Sequence, residues 1–238
     1  MIKNLFITGD THSGFNTMIR VNNIIQNNPE LKPEETGIIV LGDCSLNYHL
    51  NDRDKTQKQA ANSLHMPIYC VRGNHEQRPE YILGMIKVYD PEVKGEVYEE
   101  PEYPYIHYLL DGGIYDFNGN KTLVLGGAYS VDKEYRLARG DRWFPDEQLS
   151  FQERREIMDN IAGQHFDVIL SHTCPYSLRP TDLFLRGLDQ SKVDNTMEVW
   201  LEQVREAVSY DRWFWGHYHA NRVIDDKHFM LFEGRMRL

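Results

Sequence analysis

The feature that most constrains this chain is a recurring order of residues: a short apolar run, a glycine or serine, then a side chain that can ligate a metal. Leu5 to Thr8 leads into Gly9-Asp10-Thr11-His12, and Gly37 to Leu41 leads into Gly42-Asp43. Pro67 to Val71 leads into Arg72-Gly73-Asn74-His75-Glu76, Asp167 to Leu170 into Ser171-His172, and Arg212 to Trp215 into Gly216-His217-Tyr218-His219. Apolar runs of this length bounded by turn residues read as buried strands. Ligand sites in open α/β sheets form beyond the carboxyl ends of the strands, so segments distant in sequence can converge there. The glycines at 9, 42, 73 and 216 read as sharp turns that let a short side chain approach an ion.

Between the strand-like runs lie stretches with helical spacing: Phe15 to Ile25, Asp146 to Ile161 and Asn195 to Val208. Strand and helix alternate in the α/β manner. From Tyr105 to Tyr129 the texture changes: Tyr105-Ile106-His107-Tyr108 and Gly113-Ile114-Tyr115-Asp116-Phe117 precede the turn Asn118-Gly119-Asn120 and another strand. Ala220 to Ile224, the turn at Asp225-Asp226-Lys227 and His228 to Phe232 repeat that hairpin pattern, so the sheets are expected to be mixed. Asp90 to Pro104, rich in Pro and Glu, reads as an irregular acidic loop. The length fits one sizeable domain, taken as residues 1–238.

Composition narrows the classes of function. The formal net charge of −10 disfavours tight duplex nucleic-acid binding, which needs a field of Lys and Arg to displace counterions. Cys44, Cys70 and Cys174 are widely spaced and form no CxxC pair, so neither a disulfide framework nor a zinc ribbon is expected. No apolar run approaches the ~20 residues needed to span a bilayer, so a membrane protein is not expected. The N-terminal run lacks the regions of a signal peptide, and a cytoplasmic location is the expectation.

Taken singly, each motif has an ordinary explanation. Asp-x-His suits a turn with a solvated histidine, Gly-Asp is a common turn dipeptide, and a lone His172 suits a hydrogen-bonded structural role. Their shared position after successive strands is what points to a metal centre. The ordered set, Asp10-x-His12, Gly42-Asp43, Gly73-Asn74-His75-Glu76, His172 and Gly216-His217-x-His219, resembles the calcineurin-like metallophosphoesterase superfamily over nearly the whole chain.

That resemblance implies an α/β fold, a four-layer α/β/β/α sandwich of two mixed β-sheets flanked by helices. It also implies two divalent metal ions: Asp10, His12 and His219 on one, Asn74, His172 and His217 on the other, and Asp43 bridging. Oxygen and imidazole ligands without thiolate suit manganese, the leading expectation, or iron or zinc. The implied reaction is hydrolysis of a phosphate mono- or diester by in-line attack of a metal-bridging hydroxide. His75 would protonate the leaving group.

One departure bears on substrate. Leu46 and Asn47 stand where the protein-phosphatase branch carries an Asp and a phosphate-gripping Arg, which puts protein phosphatase activity in question. Replacement candidates are Arg72 and the Arg- and aromatic-rich stretch with Arg136, Arg139 and Arg142, which could clamp a phosphate and stack a base. These arginines could equally pair with the chain's many carboxylates. The partner is expected to be a phosphoester whose identity, like the oligomeric state, stays open. The alternatives are a nuclease or cyclic or dinucleotide phosphodiesterase, and, outside enzymes, a metal-binding interaction scaffold.

Overall fold

The computed structural model describes residues 2–238. In chain order the strands are β1 (Asn4–Thr8), β2 (Thr36–Val40), β3 (Ile68–Cys70), β4 (Ile86–Asp90), β5 (Gly95–Glu99), β6 (Ile106–Leu109), β7 (Ile114–Phe117), β8 (Asn120–Leu125), β9 (His165–Ser171), β10 (Ser209–Trp215), β11 (Arg222–Val223), β12 (His228–Met230) and β13 (Arg235–Arg237). The α-helices are α1 (Gly14–Asn27), α2 (Asp52–Asn62), α3 (Lys133–Arg139), α4 (Phe151–Ile161) and α5 (Thr196–Ala207). One sheet has the order β13-β1-β2-β3-β6-β5-β4 and the other β11-β12-β10-β9-β8-β7. Both are mixed. Parallel pairs β1–β2, β2–β3, β3–β6, β8–β9, β9–β10 and β10–β12 form the centres, with antiparallel strands at the edges.

Layering follows from alternation along strands whose two faces are both buried. Leu5 and Ile7 of β1 join Val168 and Leu170 of β9 and Phe214 of β10 in a core between the sheets. Phe6 points the other way, into a cluster with Val21 and Ile24 of α1 and Ala61 of α2. Ile169, Trp213 and Trp215 likewise turn outward onto Trp200, Leu201 and Val204 of α5. Apolar residues on both faces of each central strand therefore demand a helix layer outside each sheet. The result is the four-layer α/β/β/α sandwich.

Several expectations are corrected. Asp90 to Pro104 is not an irregular loop throughout, because Asp90 ends β4 and Gly95–Glu99 is β5, an antiparallel pair at the sheet edge. Its acidic residues mark an edge hairpin, with Val93 and Val97 buried beneath it. The hairpin around Asn118-Gly119 is β7–β8, with positive φ at both turn residues. Strand β6 is not part of it; the chain crosses from one sheet to the other between β6 and β7. Asp146 does not open a helix, which starts at Phe151 behind the Ser150 cap. No helix among the described residues is long and apolar enough to cross a membrane.

Candidate metal centre

Strands β1, β2, β3, β9 and β10 end at one edge of the sandwich, and the candidate metal-ligating residues follow them there. Asp10 leaves β1 fully buried, and its Oδ1 accepts the His217 amide at 2.8 Å. Arg20 of α1 fixes this exit by donating to the carbonyls of Gly9 (2.9 Å), Asp10 (2.7 Å) and Phe232 (2.6 Å). The other oxygen, Asp10 Oδ2, has no hydrogen-bond partner. It faces His219 Nε2 at 3.4 Å and His12 Nε2 at 3.9 Å, and those two nitrogens lie 2.9 Å apart. Phe232 stacks on the His219 ring at 4.7 Å and limits its rotation.

A second group gathers around Asp43. Its Oδ1 accepts the His75 amide at 2.8 Å and lies 3.7 Å from His172 Nε2. His172 Nδ1 is 2.7 Å from the Leu41 carbonyl, which only accepts, so Nδ1 carries the proton and Nε2 presents a lone pair in the neutral ring. Asn74 Oδ1 stands 2.8 Å from that lone pair. The amide is oriented by a relay from below: Asn74 Nδ2 donates to Ser130 Oγ (2.8 Å), and Ser130 Oγ donates to Glu147 Oε2 (2.5 Å). Glu147 also accepts from the Ser130 amide and Trp143 Nε1. The His217 ring lies 5.0 Å from that of His172.

The glycines serve a purpose different from the sharp turns expected of them. Only Gly42 among those four has a positive φ. A Cβ on Gly73 would sit 2.0 Å from Asp43 Oδ1, and one on Gly216 would sit 2.2 Å from Asp10 Oδ1. Gly42, Gly73 and Gly216 thus make room for His172, Asp43 and Asp10, which arrive from other strands, whereas Gly9 makes room for the Leu231 carbonyl. Left-handed conformations fall also on the candidate ligands: His12, Asp43, His217 and His219 all have positive φ. Backbone of this kind away from glycine persists where surrounding contacts enforce it and clusters at functional sites.

Electrostatics favour ligation. Burial alone would raise the Asp10 and Asp43 carboxyls, but the surrounding imidazoles outweigh it and hold both below the usual range. Burial lowers His12 and His75, and it drives His217 down to about 3. Only His219 is raised, by the Asp10 carboxylate, whose Oδ2 lies 3.4 Å from its Nε2. Anionic carboxylates beside neutral imidazoles are the protonation states that bind a cation.

His75 lies beside the centre, with Nε2 3.9 Å from Asp43 Oδ2. Of the candidate arginines, Arg136 alone reaches the site. Its Nη2 is 3.2 Å from His75 Nε2, while Tyr48 and Asp132 hold its other nitrogens at 3.0 and 2.7 Å. It comes from helix α3 rather than from the loop expected there. Arg72 is buried, with Nε on Asp111 and Nη1 on the Glu147 carbonyl, so it supports the site from beneath. Arg139 and Arg142 are exposed, and Arg139 pairs with Asp141. Sequence reasoning missed Arg20, Tyr48, Ser130, Glu147 and Phe232, whose spacing carries no signal because each acts from a separate element.

The residues fit divalent cations. Asp10 Oδ2, His12 and His219 converge, as do Asp10, Asp43 and His172. A buried carboxylate oxygen without a donor, and two acceptors facing each other at 2.8 Å, both need positive charge between them.

A sandwich of two mixed sheets with an Asp, His and Asn cluster at its parallel-strand edge defines an α/β protein with a metal-binding centre. The chain belongs to the calcineurin-like phosphoesterases, whose family model matches residues 3–221. These are metal-dependent hydrolases of phosphoesters. No curated protein matches the chain. Among solved structures it is similar to TT1561 of Thermus thermophilus, at 11% identity over 98% of this chain and 89% of that one, with a TM-score of 0.49. A second crystal structure is 14% identical over 97% and 90% of the two chains, with a TM-score of 0.45.

Proposed function

We propose that this chain hydrolyses a small phosphate mono- or diester, holding one divalent ion with Asp10, His12 and His219 and another with Asn74, His172 and His217. Asp43 would be shared by both. The observation that carries the reading is the set of uncompensated acceptors, Asp10 Oδ2 without a donor and His172 Nε2 against Asn74 Oδ1. Manganese is the leading candidate, with iron and zinc as alternatives. Such ions, when bound, acidify water and neutralise charge on the phosphoryl oxygens.

The chain's own residues supply the rest. His75, whose imidazole burial holds neutral at rest, would take up a proton from solvent, pass it to the leaving oxygen and so return to the neutral form. Arg136 binds the non-bridging oxygens, its fork fixed by Asp132 and Tyr48 so that little freedom is lost on binding. It replaces the arginine absent after Asp43. Arg136→Ala is expected to raise KM roughly ten- to hundredfold, the loss of a charge-assisted contact, as steady-state kinetics would register.

The three cysteines are free and buried, which supports a reducing, cytoplasmic setting. The phosphoester is the proposed partner, and the charge of −10 weighs against duplex nucleic acid. The deciding experiment strips the protein of metal, reloads it with manganese, iron or zinc, counts ions per chain, and compares an aryl phosphate monoester with a bis-aryl diester. Two ions with metal-dependent turnover support the reading. Absence of hydrolysis with every metal overturns it in favour of a binding scaffold.

A further inference from the structure

Beside the metal-ligating side chains lies a cavity of about 340 Å³ whose lining includes Asn74, His75, His217 and His219. The connection between β9 and α5 also lines it, contributing Phe184, Leu185 and Leu188. Leu185 is 63% exposed and lies outside every core cluster. An apolar wall kept open to solvent beside a polar centre gains nothing from folding, and it is the arrangement of a pocket that buries an organic ligand.

Two polar side chains in the lining are incompletely matched. Glu198 is only 5% exposed; Oε1 accepts from Thr173 at 2.7 Å, and Oε2 has no hydrogen-bond partner. Arg179 lies over the Tyr176 ring at 3.5 Å and within 5.8 Å of the Phe184 ring. Its hydrogen bonds go to the Tyr176 carbonyl and to Asn195, and among the described residues it forms no ion pair. The cavity therefore offers an apolar wall, a buried acceptor awaiting a donor, and a cation able to sit over a ring face.

We propose, granted the phosphoesterase reading on which this rests, that the organic half of the ester is a flat fused-ring group bearing an N–H, seated against Phe184 and Leu185. The N–H is donated to Glu198 Oε2, and Arg179 lies over the ring. A neutral, ring-free alcohol would leave the apolar wall wet and Glu198 unmatched.

The test uses the metal-loaded enzyme and three monoesters: glycerol 2-phosphate, 1-naphthyl phosphate and indol-3-yl phosphate. Because the aryl esters also carry better leaving groups, KM is the readout: ring burial is expected to lower it about tenfold from the glycerol to the naphthyl ester, and a matched N–H to lower it about tenfold more for the indolyl ester. The double variant Phe184→Ala, Leu185→Ala should abolish the naphthyl preference over glycerol. Glu198→Met should abolish the indolyl preference over naphthyl; because Glu198 is buried, the near-isosteric Glu198→Gln serves as a second variant and should reduce it. Equal KM for the three esters, or KM preferences unchanged in the variants, overturns the inference while leaving the phosphoesterase reading standing. Failure to hydrolyse any ester with any metal overturns both.

Discussion

At the scale of single residues, the centre depends on atoms that are missing as much as on those present. A methyl group at Gly216 would fall 2.2 Å from Asp10 Oδ1 and 2.9 Å from the Leu41 carbonyl. Neither can retreat, since Asp10 is buried and bound to the His217 amide. Gly216→Ala is expected to cost about 1–3 kcal/mol of stability, as overpacking does, and to weaken metal binding; denaturant titration and metal counting would register the two effects. His75 calls for the opposite pattern. It touches Asp43 and Arg136 yet is not among the proposed ligands, so His75→Asn should retain its metals while kcat falls roughly 10²- to 10⁴-fold, the worth of a proton donor. Loss of metals in step with activity would instead make His75 a structural residue.

At the scale of elements, the strands were legible wherever both faces are apolar, as in β1, β2, β9 and β10. Helix α2 was not. Its sequence has no apolar stripe, because its buried residues include Asp54 and Lys58, which are satisfied by the His49 and Leu50 amides and by Glu100. A helix packed through polar groups looks like a solvated segment until its partners are known. Hairpin β4–β5 was hidden for a related reason, since the Glu residues of β5, beside the edge strand β4, flank one buried valine. The connection after β8 is where an element acts on the centre, because Ser130 there fixes the Asn74 amide that follows β3. Ser130→Ala should release that amide and weaken binding of one ion about 10- to 100-fold, leaving the other unchanged. Calorimetric metal titration would resolve the two sites; uniform weakening of both would sink the relay.

At the scale of the whole molecule, the layers on either side of the centre are tied together by charge. Arg78, in the connection after His75, reaches Glu153 of α4 at 2.5 Å, and the same carboxylate closes the α4 cap by accepting from Ser150. Burial pushes the Glu153 carboxyl up, but the Arg78 hydrogen bond and the cap outweigh it and hold it at about 2, below its ordinary 4.5. A depressed carboxyl stabilises the fold above its unfolded value and ceases to do so as pH falls through its folded one. The difference in Tm between the wild type and Glu153→Gln should therefore be full above about pH 5 and vanish towards pH 2. The gap will be modest, since the carboxylate is partly exposed and screened. The sequence alone determined the α/β class, the principal central strands and the proposed ligand residues, because apolar alternation and the residues that follow a strand are local properties of the chain. Only the tertiary structure decided that Arg136 rather than Arg72 approaches His75, that glycines of one strand clear space for carboxylates of another, and that Ser130 and Glu147 orient Asn74. Those relations join residues from separate strands and helices, and no local pattern in the sequence encodes a distance between elements that meet only when both sheets close over their shared core.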